Sequence, residues 1–268
     1  MIFRLLFFIF IFLPLLLIII PLQALIILLR LPFWNVLPRL FHRVGCFFLG
    51  LRVSLVGRPA TGRPTLLVSN HISWTDIVAI GSVADVTFVA KSEVSRWFFV
   101  GMMARLQKTI FVDRKKRSDA GRTSREMGAH MAGNNAVLLF AEGQSDIGTH
   151  VLPFRSALIG AAQHAMIEAG ARDVWIQPLT IAYTRMQGLP VSRNERSTIA
   201  WIKSKSVRQN IREILSAPVK DVTVAFGAPM PLSETADRKA VSKAAENDVR
   251  AMLVALNRGL PLPQKLDR

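Results

Sequence analysis

The first thirty residues limit what this chain can fold into more than any other part of it. Residues 2–29 carry only Arg4 and Gln23 as strongly polar side chains. A helix of about 25 apolar residues crosses the hydrocarbon core of a bilayer with some tilt. The stretch is too long for an ordinary signal peptide, and residues 28–32 offer no small-residue cleavage site. We therefore expect residues 1–31 to form a membrane anchor.

The geometry and orientation of this anchor follow from its prolines and its flanking charges. Pro14 and Pro21 would kink the helix, so a helix-break-helix within one leaflet is the alternative to a spanning helix. One arginine precedes the apolar run, whereas six follow it closely: Arg30, Arg39, Arg43, Arg52, Arg58 and Arg63. By the positive-inside rule, the rest of the chain faces the cytoplasm, which places the protein at the inner (cytoplasmic) membrane.

Composition restricts the partners. The chain has 34 Lys and Arg residues against 18 acidic ones, so its net charge is +16, and its mean hydropathy is +0.33. This balance favours an anionic membrane surface or another polyanion. Cys46 is the only cysteine, so the chain itself cannot form an internal disulfide. The five histidines are scattered and no CxxC or HExxH pattern occurs, so we expect no metal site.

Residues 32–58 follow the anchor as an amphipathic segment. Apolar side chains recur there at helical spacing, with Trp34 near the start and Arg39, His42 and Arg43 interleaved. This pattern is typical of a helix in the membrane interface, although an ordinary core-facing helix would have the same spacing.

Residues 59–268 read as one domain in which short apolar strands alternate with helices. This alternation predicts an α/β fold with a largely parallel or mixed sheet flanked by helices. The predicted strands are 65–69, 86–90, 109–112, 136–140, 173–178 and 221–226. The predicted helices are 97–106, 118–132, 156–169, 207–215 and 236–256.

A histidine and an aspartate lie just after the first of these strands, in residues 70–76, Asn-His-Ile-Ser-Trp-Thr-Asp. Five helical residues would place His71 and Asp76 about 140° apart, so they can meet only if His71 lies in the turn and Asp76 in the first helical turn. A carboxylate that holds an imidazole makes it a general base for a hydroxyl. A surface histidine beside a helix-capping aspartate is the plain alternative.

Other polar side chains follow neighbouring strands. Lys91 follows the second predicted strand, Arg114 follows the third, and Glu142 and Gly143 follow the fourth. Ligands of parallel sheets bind beyond the carboxyl ends of the strands, so these residues are candidates for substrate binding. The planar guanidinium of Arg114 suits a phosphate.

Residues 70–76 resemble the signature block of the glycerolipid acyltransferases, the family that includes 1-acylglycerol-3-phosphate acyltransferase. The family's other blocks occur in the same order, so the resemblance covers residues 51–226. It implies that His71 is the catalytic base and that Asp76 orients it. It also implies transfer of a fatty acyl group from acyl-CoA or acyl carrier protein to a lysolipid hydroxyl, without a resident cofactor.

The second and third blocks supply the substrate-binding residues. Residues 110–114 resemble the second block, whose arginine (Arg114 here) lies in the phosphate site of the acceptor, and Lys91 matches a lysine upstream. Residues 138–143 resemble the third block, in which Glu142 would bind acceptor hydroxyls while Gly143 lets the backbone approach closely. Three positions depart from that block, namely Ala141, Gln144 and Ser145.

The acceptor remains open at this point. Family frequency places 1-acylglycerol-3-phosphate first, giving phosphatidic acid in phospholipid biosynthesis. The three departures, with residues 88–94 and 104–107, also resemble bacterial enzymes that acylate lyso-ornithine lipid, an acceptor without a phosphate. A non-enzymatic, membrane-anchored protein that binds anionic lipid or nucleic acid is the third reading. Nucleic acid is not an expected partner, because the sequence shows no recognised nucleic-acid module.

Overall fold

The computed structural model describes residues 6–112, 136–160, 163, 174–232 and 237–263. A π-helical turn, Phe8–Phe12, precedes the first α-helix, and a 3-10 turn, Ser92–Arg96, precedes the fourth. The α-helices are α1 (Leu13–Leu28), α2 (Val36–Leu49), α3 (Thr75–Val83), α4 (Phe98–Leu106), α5 (Arg193–Ile199), α6 (Val207–Ser216) and α7 (Arg238–Arg258). The strands are β1 (Leu51–Val56), β2 (Thr65–Ser69), β3 (Val86–Lys91), β4 (Ile110–Val112), β5 (Ala136–Phe140), β6 (Trp175–Met186), β7 (Leu189–Pro190), β8 (Lys220–Phe226) and β9 (Met230–Pro231).

The described strands form one mixed sheet in the order β1-β8-β6-β2-β5-β3-β4, with β7 and β9 paired to β6. The pairs β6–β2, β2–β5, β5–β3 and β3–β4 are parallel, whereas β6 and β8 are antiparallel. The carboxyl ends of β2, β5, β3 and β4 therefore share one edge of the sheet, where ligands bind in open α/β folds.

Both faces of the sheet are covered. Successive residues of β2 point to opposite faces, so Leu67 packs in one apolar cluster while Leu66 and Val68 pack in the other. Helices α2 and α3 contribute to the first cluster, and α7 contributes to the second. All residues of β2 and β5 are buried, as expected for central strands with helices on both sides.

The apolar N-terminal region is helical. Among the described residues, Phe8–Leu28 is the one helix long and apolar enough to cross a membrane, with a mean hydropathy of 2.9. Its buried residues form one stripe that packs against the rest of the chain, and the other faces are exposed. The stripe consists of Phe12, Leu16, Ile19, Gln23 and Ile26.

Helix α2 runs through the segment predicted to be amphipathic. Its buried side, which includes His42, Gly45 and Cys46, lies against α3, while Phe47 is exposed on the other side. Residues 51–56, within the predicted segment 32–58, form β1 and pair with β8 in the sheet. The placement of α2 in a membrane interface stays a prediction.

Candidate active site

The chain leaves β2 through a loop that a buried amide fixes in place. The Asn70 side chain donates to the carbonyl oxygen of Ile181 at 2.9 Å and accepts from the Ile181 N–H at 3.0 Å. These two bonds imitate a backbone pair with β6, one residue beyond the end of β2. The loop that begins at His71 is therefore held against the sheet.

The histidine and the aspartate meet. His71 Nδ1 lies 2.8 Å from Asp76 Oδ2, with His71 in the turn and Asp76 in the first turn of α3. The positive end of the helix dipole favours a carboxylate there. Since the carboxylate only accepts, Nδ1 carries the shared hydrogen and Nε2 is left as an acceptor. This arrangement suits an imidazole that removes a proton from a hydroxyl.

Asp76 is fully buried, and its hydrogen bonds fix its position. Oδ2 also accepts from the backbone N–H groups of Ile72 and Ser73, at 2.6 and 2.9 Å. Oδ1 accepts from the Tyr183 hydroxyl at 2.9 Å. Because Tyr183 gives its one proton to Asp76, the Thr75 hydroxyl, 2.6 Å away, donates to Tyr183. The Ile72 and Ser73 N–H groups are thus committed to Asp76, so a developing oxyanion must be stabilised elsewhere.

The imidazole lies flat on an aromatic ring. The ring centroids of His71 and Phe140 are 4.0 Å apart, with 22° between the planes. The His71 side chain is 18% exposed, whereas Asp76 is completely covered. The histidine is therefore open to substrate on one side and held on the other.

Glu142 ties two loops together. Oε2 accepts from the His71 backbone N–H and Oε1 from the Leu152 N–H, both at 2.7 Å. Burial raises the pKa of Glu142 to about 8, although both N–H donors act in the opposite direction. Gly143 follows with φ of +72°, the left-handed conformation that favours glycine. Binding of acceptor hydroxyls by Glu142 stays a prediction, while its described contacts hold the histidine loop.

Of the two basic candidates, the structure describes Lys91, which lies toward the other end of the same edge. Lys91 is exposed at the carboxyl end of β3, in register with Val112 of β4. Two strand spacings, roughly 10 Å, separate β3 from β2. Arg114 lies outside the described residues, so its role in phosphate binding remains a prediction. Among the described residues, no three His, Cys, Asp or Glu side chains come together as a possible metal site.

Sequence reasoning missed the groups that position Asp76. Tyr183 is 107 residues away from Asp76 in the chain and lies on β6, the strand that pairs with β2. Its one available signal was that it is the only tyrosine of the chain. Asn70 had a better signal, since it directly precedes the histidine, but its bonds to Ile181 depend on the sheet order.

Comparison with known proteins agrees with this geometry. A family model described as Acyltransferase matches residues 52–182. Lyso-ornithine lipid O-acyltransferase of Brucella abortus is 40% identical over 91% of this chain and 92% of that protein. The enzyme of the same name from Rhizobium meliloti is 38% identical over 91% of this chain and 83% of that protein. 1-acyl-sn-glycerol-3-phosphate acyltransferase of Neisseria gonorrhoeae is 29% identical over 74% and 73%.

A solved structure has the same fold. PlsC, the 1-acyl-sn-glycerophosphate acyltransferase from Thermotoga maritima, matches with a TM-score of 0.59 at 20% identity, over 81% of this chain and 77% of that one. This match confirms the predicted α/β fold. The chain belongs to the Acyltransferase family, in the glycerolipid acyltransferase group, and is an enzyme of lipid metabolism.

Proposed function

We propose that this enzyme transfers a fatty acyl group from a thioester to the free hydroxyl of lyso-ornithine lipid. The observation that carries the reaction is the 2.8 Å contact between His71 Nδ1 and Asp76 Oδ2, at the shared carboxyl edge of the parallel strands. The names of the relatives at 40% and 38% identity support the acceptor. On this support, lyso-ornithine lipid ranks ahead of 1-acylglycerol-3-phosphate, the acceptor that family frequency placed first.

His71 and Asp76 divide the chemistry between them. His71 Nε2 takes the hydroxyl proton as the acceptor oxygen attacks the thioester carbonyl. Asp76 stabilises the resulting imidazolium through its bond to Nδ1. When the carbon–sulfur bond breaks, the imidazolium returns the proton to the leaving thiolate. The acceptor is itself the nucleophile, so no covalent enzyme intermediate and no resident cofactor are needed.

Acylation of 1-acylglycerol-3-phosphate is the second candidate. It is supported by the relative from Neisseria gonorrhoeae and by the resemblance of residues 110–114 to a phosphate-site block. In this case Arg114, with Lys91, would hold the phosphate of the acceptor.

The protein is attached to the inner membrane by residues 1–31, with the catalytic domain in the cytoplasm. The exposed apolar faces of Phe8–Leu28 support attachment, and the arginines after it support the orientation. The donor is acyl-CoA or acyl carrier protein, both acidic, and the net charge of +16 suits either one.

The experiment is acyl transfer by purified full-length protein in detergent, with each donor and each acceptor. General-base catalysis is worth about 10²–10⁴ in rate, so His71→Ala should lose activity by that factor while the protein still folds. His150→Ala is the matched control, because His150 is exposed on a nearby loop and pairs with Asp146. Acylation of lyso-ornithine lipid by wild type and control supports the proposal. Full turnover by His71→Ala would refute the base, and acylation of 1-acylglycerol-3-phosphate alone would select the second candidate.

A further inference from the structure

Helix α4 buries small residues and exposes large apolar ones. Its buried residues are Gly101 and Ala104, whereas Phe98 is 91% exposed. Phe99 and Val100 are also exposed, and so is Trp97 just before the helix. A helix at the surface of a soluble domain normally buries its large apolar side chains. A contiguous exposed group of them marks an interaction site, and we call residues 97–100 the aromatic patch.

The backbone fixes this orientation. A Cβ atom at Gly101 would lie 2.4 Å from the carbonyl oxygen of Ser95, so the helix packs directly against the preceding 3-10 turn. The Arg105 side chain donates to that same oxygen at 2.8 Å. Rotating α4 to bury Phe98 would break this packing. The exposure of the patch is therefore fixed by the packing of α4.

The patch lies between the N-terminal helix and the histidine loop. At the far end of α4, Gln23 donates to the Leu106 carbonyl oxygen at 2.8 Å, which joins α4 to α1. Nine helical residues span about 14 Å, so the patch lies within that distance of this junction. On its other side, the rings of Trp97 and Trp201 are 6.1 Å apart. The backbone N–H of Trp201 donates to the backbone carbonyl oxygen of Ile72, the residue after His71.

The charges around the patch identify its partner as a lipid surface. Within residues 91–105, Lys91, Arg96 and Arg105 are exposed, and Glu93 is the one acidic residue. Tryptophan, phenylalanine and basic side chains together are typical of segments that lie in the interface of an anionic bilayer. We propose that the aromatic patch inserts into the membrane interface as a second contact, beside the N-terminal anchor and next to the mouth of the active site. This inference rests on the proposed membrane attachment.

Depth-dependent quenching tests the contact without using activity. Full-length protein with Cys46→Ala, carrying a fluorophore on a cysteine introduced by Phe98→Cys, is reconstituted with phosphatidylcholine–phosphatidylglycerol vesicles whose acyl chains are brominated. We expect loss of fluorescence from this label. The matched control is Leu189→Cys, at a residue that begins β7 and is 71% exposed, and its label should keep its fluorescence. A third label at Ile18→Cys, on the exposed face of α1, reports the anchor.

The three labels separate the possible failures. Unquenched fluorescence at position 98 overturns the proposal whether or not position 18 is quenched. Self-quenching between labelled copies at position 98, without quenching by lipid, overturns it in favour of contact between two chains. Quenching at 98 but not at 18 supports the patch and refutes the anchor.

Activity adds an independent measurement. Phe98→Ser combined with Phe99→Ser should raise the KM for acceptor presented in vesicles by about tenfold, because the apolar contribution to surface binding is lost. The same variant should behave like wild type toward acceptor in detergent micelles, and Leu189→Ser should change neither value. An unchanged KM for the vesicle-bound acceptor would count against the proposal.

Discussion

Asp76 is the residue on which the proposed chemistry depends most, because it serves the histidine and the backbone at once. Its Oδ2 atom accepts hydrogen bonds from the His71 ring and from the backbone N–H groups of Ile72 and Ser73. The same carboxylate therefore orients the imidazole and fixes the conformation of the loop that carries it. Substitution of Asp76 would change both functions together. The Tyr183 hydroxyl binds the other oxygen, and it offers a way to alter the carboxylate without unfolding the loop.

Tyr183→Phe should reduce kcat about tenfold with little change in KM, because Asp76 loses the bond that fixes its Oδ1 atom and orients the His71 ring less well. Without the tyrosine donor, Asp76 attracts the imidazolium proton more strongly. The acid limb of the pH–rate profile should therefore move to higher pH. Thr75→Val is the control, because Thr75 contacts Tyr183 and leaves the bond between Tyr183 and Asp76 in place. Equal pH profiles for Tyr183→Phe and wild type would contradict the positioning role.

Glu142 predicts a pH dependence of stability. Burial raises the pKa of this carboxyl from 4.5 to about 8, so between these values the folded protein holds a proton that the unfolded chain releases. The free energy of unfolding should therefore fall as the pH rises through this window. Thermal unfolding in detergent at about pH 6 and about pH 8.5 measures the fall. Glu142→Gln, which cannot ionise, should show a smaller fall than wild type, and parallel curves would contradict the assignment.

At the scale of elements, the sequence predicted what depends on local pattern. The fully buried strands β2 and β5 and the helices α4, α6 and α7 were predicted to within about two residues at most ends, because continuous apolar runs and helical spacing are local signals. Strand β1 was missed although residues 51–55 alternate between apolar and polar side chains, because the segment is short and its pairing with β8 joins residues far apart in sequence. Strand β6 proved longer, Trp175–Met186 against the predicted 173–178, because Pro178 looked like an end.

The limit to local patterns also explains which contacts of the site could be predicted from the sequence. The contact between His71 and Asp76 spans five residues, so it lies within one local motif, residues 70–76, whose family resemblance predicted it. Tyr183 reaches Asp76 only because β6 lies beside β2, a pairing that no local pattern specifies.

The packing of α2 against α3 predicts a sensitive glycine. A Cβ atom at Gly81 would lie 2.4 Å from the His42 ring, which Gln107 holds at 2.8 Å. Gly81→Ala should lower the free energy of unfolding by about 1–3 kcal/mol, despite the better helix propensity of alanine. Gly45→Ala on the facing helix is the matched control, since its Cβ would meet only the Val78 side chain at 3.1 Å. Similar melting temperatures for the two variants would show that the helices adjust freely.

For the whole molecule, two forces would hold the enzyme at the proposed membrane surface, and they respond differently to salt. The net charge of +16 attracts an anionic surface, but at about 1 M salt the screening length falls to about 3 Å and this attraction is lost. Burial of apolar side chains from Phe8–Leu28 does not weaken with salt. The balance between the two decides whether the protein is anchored or merely adsorbed.

We predict that wild-type protein stays with phosphatidylcholine–phosphatidylglycerol vesicles in about 1 M sodium chloride and leaves them only in detergent. Leu17→Lys combined with Ile18→Lys should be released by the same salt wash, because each lysine in an apolar span costs about 2.5–3.5 kcal/mol. Both side chains lie on the exposed face of α1, so the stripe that packs on the domain is unchanged. Leu189→Lys, at an exposed site outside the anchor, is the control and should remain bound. If the double variant resists the wash as wild type does, α1 does not contact the bilayer through this face, and another apolar contact such as the aromatic patch must hold the enzyme instead.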